Sequence, residues 1–298
     1  MDKYVRTLVV AADGSGEFTS LGQALKKLKG DSEDPVRIYI KNGTYHEKNL
    51  VNSTINNLTI EGESRDGVVL SNGDWAQKDN MGTSGSYTLR IDGNNVTLKN
   101  LTVENTAGRV GQAVALHTTG DRITVRDCNI LGNQDTLYAT GRGARNLFED
   151  CYIEGTVDFI FGAATALFRN CRIHAKADSF ITAASTPKEV SVGYVFHKCK
   201  VTADPEVKSL HLGRTWRPYA STYFIDCELP KAITPAGWHN WGNEDNNRTA
   251  RYGEYANHGE GADTGKRVGW RSILSPEDAL RLTDPETIFA RNSVWIPD

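Results

Sequence analysis

No run of about 20 apolar residues occurs in the 298-residue sequence, so no segment is suited to cross a bilayer as a helix. There is no excess of positive charge either. Lys and Arg number 34 against 37 Asp and Glu, a net charge of −3, and a phosphate backbone is bound where basic residues accumulate. Nucleic acid is therefore not expected as a partner. The five cysteines stand no closer than 20 residues apart, which excludes a Cys-x-x-Cys zinc site and leaves at least one thiol free. The usual catalytic signatures are missing as well: no Gly-x-Ser-x-Gly elbow, no His-Glu-x-x-His and no phosphate-binding Gly-x-x-x-x-Gly-Lys. The seven histidines are scattered, and His117 and His211 read as structural residues with satisfied rings.

What the sequence does contain is a repeat. Each cysteine sits in one short phrase: Asp127-Cys128-Asn129-Ile130, Asp150-Cys151-Tyr152-Ile153, Asn170-Cys171-Arg172-Ile173, Lys198-Cys199-Lys200-Val201 and Asp226-Cys227-Glu228-Leu229. Asn57-Leu58-Thr59-Ile60 and Asn100-Leu101-Thr102-Val103 match with leucine in the cysteine slot. The cysteine spacings of 23, 20, 28 and 28 are those of a solenoid. Within each phrase the apolar residues alternate, which reads as a short strand with one inward face. Strands at this interval, separated by Gly, Asn and Asp, fit a parallel β-helix better than βαβ units. The cysteines would stack as an internal ladder of buried thiols. A Cys151–Cys171 bridge between neighbouring coils stays open if the protein is secreted.

Strand edges at the ends of a β-helix need covering. Residues 19–28 place apolar side chains at 21, 24, 25 and 28, a helical period, and suit a cap on the N-terminal end. Ser275-Pro276-Glu277-Asp278 is a helix start, with an N-cap hydroxyl and proline in the first turn. No linker interrupts the chain. The expectation is an all-β, single-domain right-handed parallel β-helix over residues 1–298, with short capping helices at both ends.

Carboxylates and amides carry the remaining chemistry. Asp135 follows Cys128 by seven residues and Asp158 follows Cys151 by seven, so the two would stand one coil apart. Carboxylates that close cannot both ionise freely; one keeps a proton, giving an acid beside an anionic nucleophile. An exposed, solvated Asp ladder explains the spacing equally well, because Asp178 follows Cys171 by seven too. Gln112 precedes Asp135 by 23, the step from Asp135 to Asp158. Gln112 and Gln134 could then offer amide donors to an oxyanion, and Arg214 could pair with one aspartate.

In this order, the segments around Gln112, Asp135, Asp158 and Arg214 resemble the signature blocks of pectin methylesterases. Gly43-Thr44-Tyr45-His46-Glu47 is similar to an early block of that family. Residues 253–262 and Arg267-Val268-Gly269-Trp270 are similar to its C-terminal blocks. The resemblance spans roughly residues 7–290. Two departures are visible: the family usually carries proline where Thr215 stands, which implies a less rigid loop, and often glutamine within Ile181-Thr182-Ala183-Ala184.

The resemblance implies hydrolysis of galacturonate methyl esters in pectin, with Asp158 as nucleophile, Asp135 as acid and then base, Gln112 and Gln134 as oxyanion donors, and Arg214 aligning Asp158. It implies no metal and no organic cofactor, a polysaccharide substrate, no membrane span and a monomer. Trp216, Phe159, Tyr138, Tyr219 and Trp238 are the aromatics expected against the sugar rings. A cytoplasmic protein and a secreted or periplasmic one without its leader read alike at residues 1–10; this function favours the second. A β-helix pectate lyase or galacturonan hydrolase, a non-catalytic carbohydrate-binding β-helix, and an esterase acting on another ester or thioester are the alternatives.

Overall fold

In a computed structural model of the protein, residues 4–28, 34–290 and 294–297 are described. The chain winds through three parallel sheets of 11, 8 and 7 strands. One coil illustrates the path. Ile123–Arg126 lies in the 11-stranded sheet, Asn129–Leu131 in the 7-stranded sheet and Leu137–Ala139 in the 8-stranded sheet, and Arg145–Glu149 returns to the first one level on. This is a parallel β-helix. No helix among the described residues is long and apolar enough to cross a membrane.

Register puts like beside like. Ile38, Ile60, Leu98, Val125, Phe148, Phe168, Phe196 and Phe224 pair in one unbroken inward ladder. Its four phenylalanine rings stack at 4.8, 4.4 and 4.3 Å, offset stacking that adds to area burial.

The cysteine phrases are corners as much as strands. The residue before each cysteine has a left-handed backbone: Asp127 (φ 51°), Asp150 (53°), Asn170 (55°), Lys198 (54°) and Asp226 (54°), with Asn100 (58°) in the leucine phrase. Asn and Asp tolerate that region best, and there the chain turns from the first sheet to the third. Asn57 (54°) belongs to a different corner, entering the first sheet, beside Asn95 (54°) and Arg122 (60°). All five thiols are free and buried. Cys151 and Cys171 each donate to a carbonyl of the preceding coil, Val125 and Phe148, at 3.4 Å, and the bridge between them is not formed.

Helix Leu21–Lys27 buries Leu21, Ala24 and Leu25 and packs on the first coils. Glu47, from the early family-like block, accepts from the N–H groups of Leu21 (2.8 Å) and Gly22 (3.0 Å) at that helix's start. Helix Pro276–Thr283 begins with a Ser275–Asp278 capping box. It does not close the C-terminal end as expected. Ala279, Ile288 and Phe289 pack on Leu147, Leu167, Val195 and Tyr223, the outer face of the 11-stranded sheet, because those outward positions are themselves apolar and need cover.

Candidate active site

Asp135 and Asp158 each stand two residues before a paired position, Leu137 opposite Ile160. They therefore occupy equivalent places on successive coils, a strand spacing of roughly 4.8 Å apart. Both have left-handed backbones, φ 65° and 48°, at the corner entering the 8-stranded sheet. Their N–H groups are held by the next coil, Asp135 by the Val157 carbonyl (3.1 Å) and Asp158 by that of Phe180 (3.0 Å). The side chains are buried, 7% and 6% exposed. Asp178 does not continue the pair: it is exposed, and its carboxylate accepts from the backbones of Lys208 and Ser209.

Arg214 makes the two aspartates unequal. Its Nε donates to Asp158 Oδ1 at 2.9 Å and its Nη2 to Oδ2 at 2.6 Å, a two-pronged bond matched to carboxylate geometry. Burial raises Asp158 above the ordinary carboxylate value, while these bonds pull it down. Burial and the neighbouring Asp158 push Asp135, which lacks such a fork, up to about 8, with Arg214 opposing. One aspartate is thus set to carry charge and the other a proton.

The outer ladder of the 8-stranded sheet forms the floor. His117, Tyr138, Phe161, Ala183 and Arg214 pair in succession. The Tyr138 and Phe161 rings stack at 4.1 Å; Ala183 then leaves a gap before Arg214. The guanidinium rests on the rings of Phe180 (4.2 Å) and Trp241 (3.7 Å), contacts that favour a fixed cation. A Cβ at Gly213 would stand 2.1 Å from Thr182 Oγ1, so only glycine lets this strand lie so close. The resulting groove, about 490 Å³, is lined by Gln112, Gln134, Asp135, Asp158 and Arg214, with Tyr138, Phe161, Trp216 and Trp241 as its aromatic walls.

All five expected catalytic residues, with Tyr138 and Trp216, thus converge on one groove. Three expected aromatics do not. Phe159 is fully buried because it sits in the corner between the left-handed Asp158 and the strand Ile160–Gly162, which turns it into the core beside Ile160, and Phe161 faces the groove in its place. Trp238 is 1% exposed and packs on Phe224 and Tyr252; Trp241, three residues later, lines the groove instead, beside Trp216. Tyr219 lies outside the lining, its ring under the Lys188 ammonium and its carbonyl bonded by Arg251. Phe161 was findable: it follows Tyr138 by 23, the step from Asp135 to Asp158. Trp241 lies on a loop and carried no such signal.

Several motif residues prove to be braces. Glu254 and Arg267, from the two C-terminal blocks, form an ion pair of 2.8 and 3.2 Å with side chains 2% and 1% exposed. Thr215 does not loosen its loop: its buried hydroxyl accepts from Asn246 Nδ2 at 2.8 Å, and Tyr252 donates to the Arg214 carbonyl at 2.8 Å. Ala183 and Ala184 are both buried. His117 is not satisfied as expected. It is 2% exposed, neither ring nitrogen finds a well-formed hydrogen-bond partner among the described residues, it stacks on Tyr138 at 4.4 Å, and burial depresses it to about 4. His211 is half-buried beside Phe180 and His239. Among the described residues no group of three or more His, Cys, Asp or Glu could hold a metal ion.

Comparison with known proteins agrees with this geometry. Residues 7–290 match the Pectinesterase family model. The Arabidopsis thaliana protein named probable pectinesterase/pectinesterase inhibitor 58 is 36% identical over 97% of this chain and 53% of its own length. The chain thus spans about half of that relative. The solved pectin methylesterase from carrot is 33% identical, with a TM-score of 0.90 over 95% of this chain and 92% of its own. A pectin methylesterase solved in complex with a hexasaccharide is 28% identical, with a TM-score of 0.83 over 100% of both chains. The fold is accordingly the expected right-handed parallel β-helix. With the stacked aspartates, the forked arginine and a matching family model over nearly its whole length, the chain belongs to the pectinesterase family.

Proposed function

We propose that the protein is a pectin methylesterase acting on methyl-esterified galacturonate in pectin, with residues 1–298 working as one monomeric domain. A polymeric substrate favours a secreted or periplasmic enzyme over a cytoplasmic one. The observation that carries the chemistry is the inequality of the aspartates: Arg214 grips Asp158 with two bonds, and Asp135 lies beside it with a raised pKa.

Asp158 attacks the ester carbonyl carbon, and the resulting oxyanion accepts N–H bonds from Gln112 and Gln134. Collapse breaks the bond to the methoxy oxygen, which takes the Asp135 proton and leaves as methanol. Asp135, now a carboxylate, accepts a proton from water as that water attacks the acyl-enzyme. The acid product leaves, Asp158 is restored as an anion and Asp135 as an acid. Tyr138, Phe161, Trp216 and Trp241 offer flat faces for sugar rings along the groove.

The test is methanol release from highly methylated pectin, followed together with polymer length. The expected result is methanol without chain cleavage, abolished in Asp158→Ala. New unsaturated ends or shortened chains would instead indicate a lyase or hydrolase.

A further inference from the structure

Gln112 is held at two points by the segment that precedes it in space. Its carbonyl accepts from Ala76 N–H at 2.8 Å, and its side-chain Oε1 accepts from Gln77 Nε2 at 3.2 Å. A planar amide with its oxygen engaged on one side turns its NH2 to the other. Gln77 is itself well placed to do this. Asp74, three residues earlier, accepts from Lys48 (3.0 Å) and Lys78 (2.6 Å). Its carbonyl accepts from the buried Asn105 Nδ2 at 2.8 Å, which also bonds the Ser86 carbonyl at 3.0 Å. Thr83 and Ser84 of the same segment line the groove. Gln134 has no comparable side-chain partner among the described residues.

We propose that Gln77 is a positioning residue, which fixes the Gln112 amide so that its N–H, and not its carbonyl, faces the developing oxyanion. This rests on the reading of Gln112 as an oxyanion donor. The two faces of a glutamine amide are nearly the same shape, so the groove alone does not select between them. A reversed Gln112 would present an oxygen to the negative charge it should stabilise. Because the oxyanion exists only in the transition state, the cost falls on kcat and not on KM.

Methanol kinetics on methylated pectin separate the possibilities. In Gln77→Glu the carboxylate can only accept, so it draws the Gln112 NH2 toward itself and reverses the amide. The expected effect is a fall in kcat of roughly a hundred- to a thousandfold, the range of a lost oxyanion donor. KM should stay within about twofold, as expected for an interaction made only in the transition state. Gln77→Lys keeps a donor to Oε1 and should retain most of the rate. In a Gln112→Ala background, Gln77→Glu should have no further effect. An unimpaired Gln77→Glu overturns the inference, as does an equal loss in the Gln112→Ala background, which would mean a bare charge effect. A wild-type chain that releases no methanol overturns the esterase reading itself, and the inference with it.

Discussion

Arg214 bonds both oxygens of Asp158, at 2.9 and 2.6 Å, while Asp135, one coil away and as deeply buried, receives no such fork among the described residues. The whole division of labour in the groove follows from that asymmetry. Equivalent corners of a solenoid hand two aspartates the same backbone, and one arginine, two coils on from Asp158, makes them chemically different.

Arg214→Lys should be far from conservative. An ammonium is a point charge that cannot grip both oxygens or lie flat on Phe180 and Trp241. Expected is a kcat loss of about a hundredfold or more, as when an aligning and charge-stabilising contact is removed, with the pH optimum moved upward as Asp158 loses its partner. Steady-state methanol kinetics across pH check both.

The pH dependence has a definite sign. Asp135 must be protonated to act as acid, and its pKa is raised to about 8, so kcat/KM should fall as pH rises through that value. Stability moves the same way. A carboxyl whose folded pKa exceeds its unfolded one favours the folded state below the unfolded pKa, near 3.8, and loses that contribution as pH rises toward about 8. Asp135→Asn removes the titration. It should melt several degrees higher than wild type at pH 8, at about 2–4 °C per kcal/mol, and level with it near pH 3.5, while losing methanol release. Equal melting of the two at both pH values would contradict this.

Phe159 and Phe161 should part company. Phe159→Ala empties a fully buried site and should cost about 3–5 kcal/mol of stability. Phe161→Ala also empties a buried site, 4% exposed, and should cost stability too, but because it removes a groove wall it should in addition raise KM for the polymer, which Phe159→Ala should leave unchanged. Urea unfolding beside substrate titration distinguishes them.

Glu254→Ala leaves Arg267 as an uncompensated buried charge. The expected loss is about 3–5 kcal/mol, read by urea unfolding, and any activity change should track the folded fraction.

The sequence made the solenoid legible because stacked coils repeat like residues at one interval. The same regularity located Asp135, Asp158 and Gln112, and would have located Phe161 had the 23-residue step been applied to Tyr138. Strand phase was harder. Asp127-Cys128-Asn129-Ile130 alternates over too few residues to separate a strand from a left-handed corner leading into one, and the same ambiguity made Phe159 a groove residue when it points inward. Trp238 and Trp241 differ only by which lies on a short strand and which on the loop beyond it. Glu47, Glu254 and Arg267 stood out in family-like blocks, yet they brace a helix start and a buried turn. A motif alone does not separate bracing from chemistry; burial and partners do.

The assignment of Asp158 as nucleophile and Asp135 as acid is tested most directly by changing the leaving group. An oligogalacturonide p-nitrophenyl ester expels a phenolate that needs no protonation, whereas methoxide does. Asp135→Asn should therefore give a rapid p-nitrophenol burst, stoichiometric with enzyme, and then stall for want of a base to activate water, while remaining nearly inert on the methyl ester. Asp158→Asn should give no burst on either ester. A burst from Asp158→Asn, or none from Asp135→Asn, would contradict the roles assigned to the two aspartates.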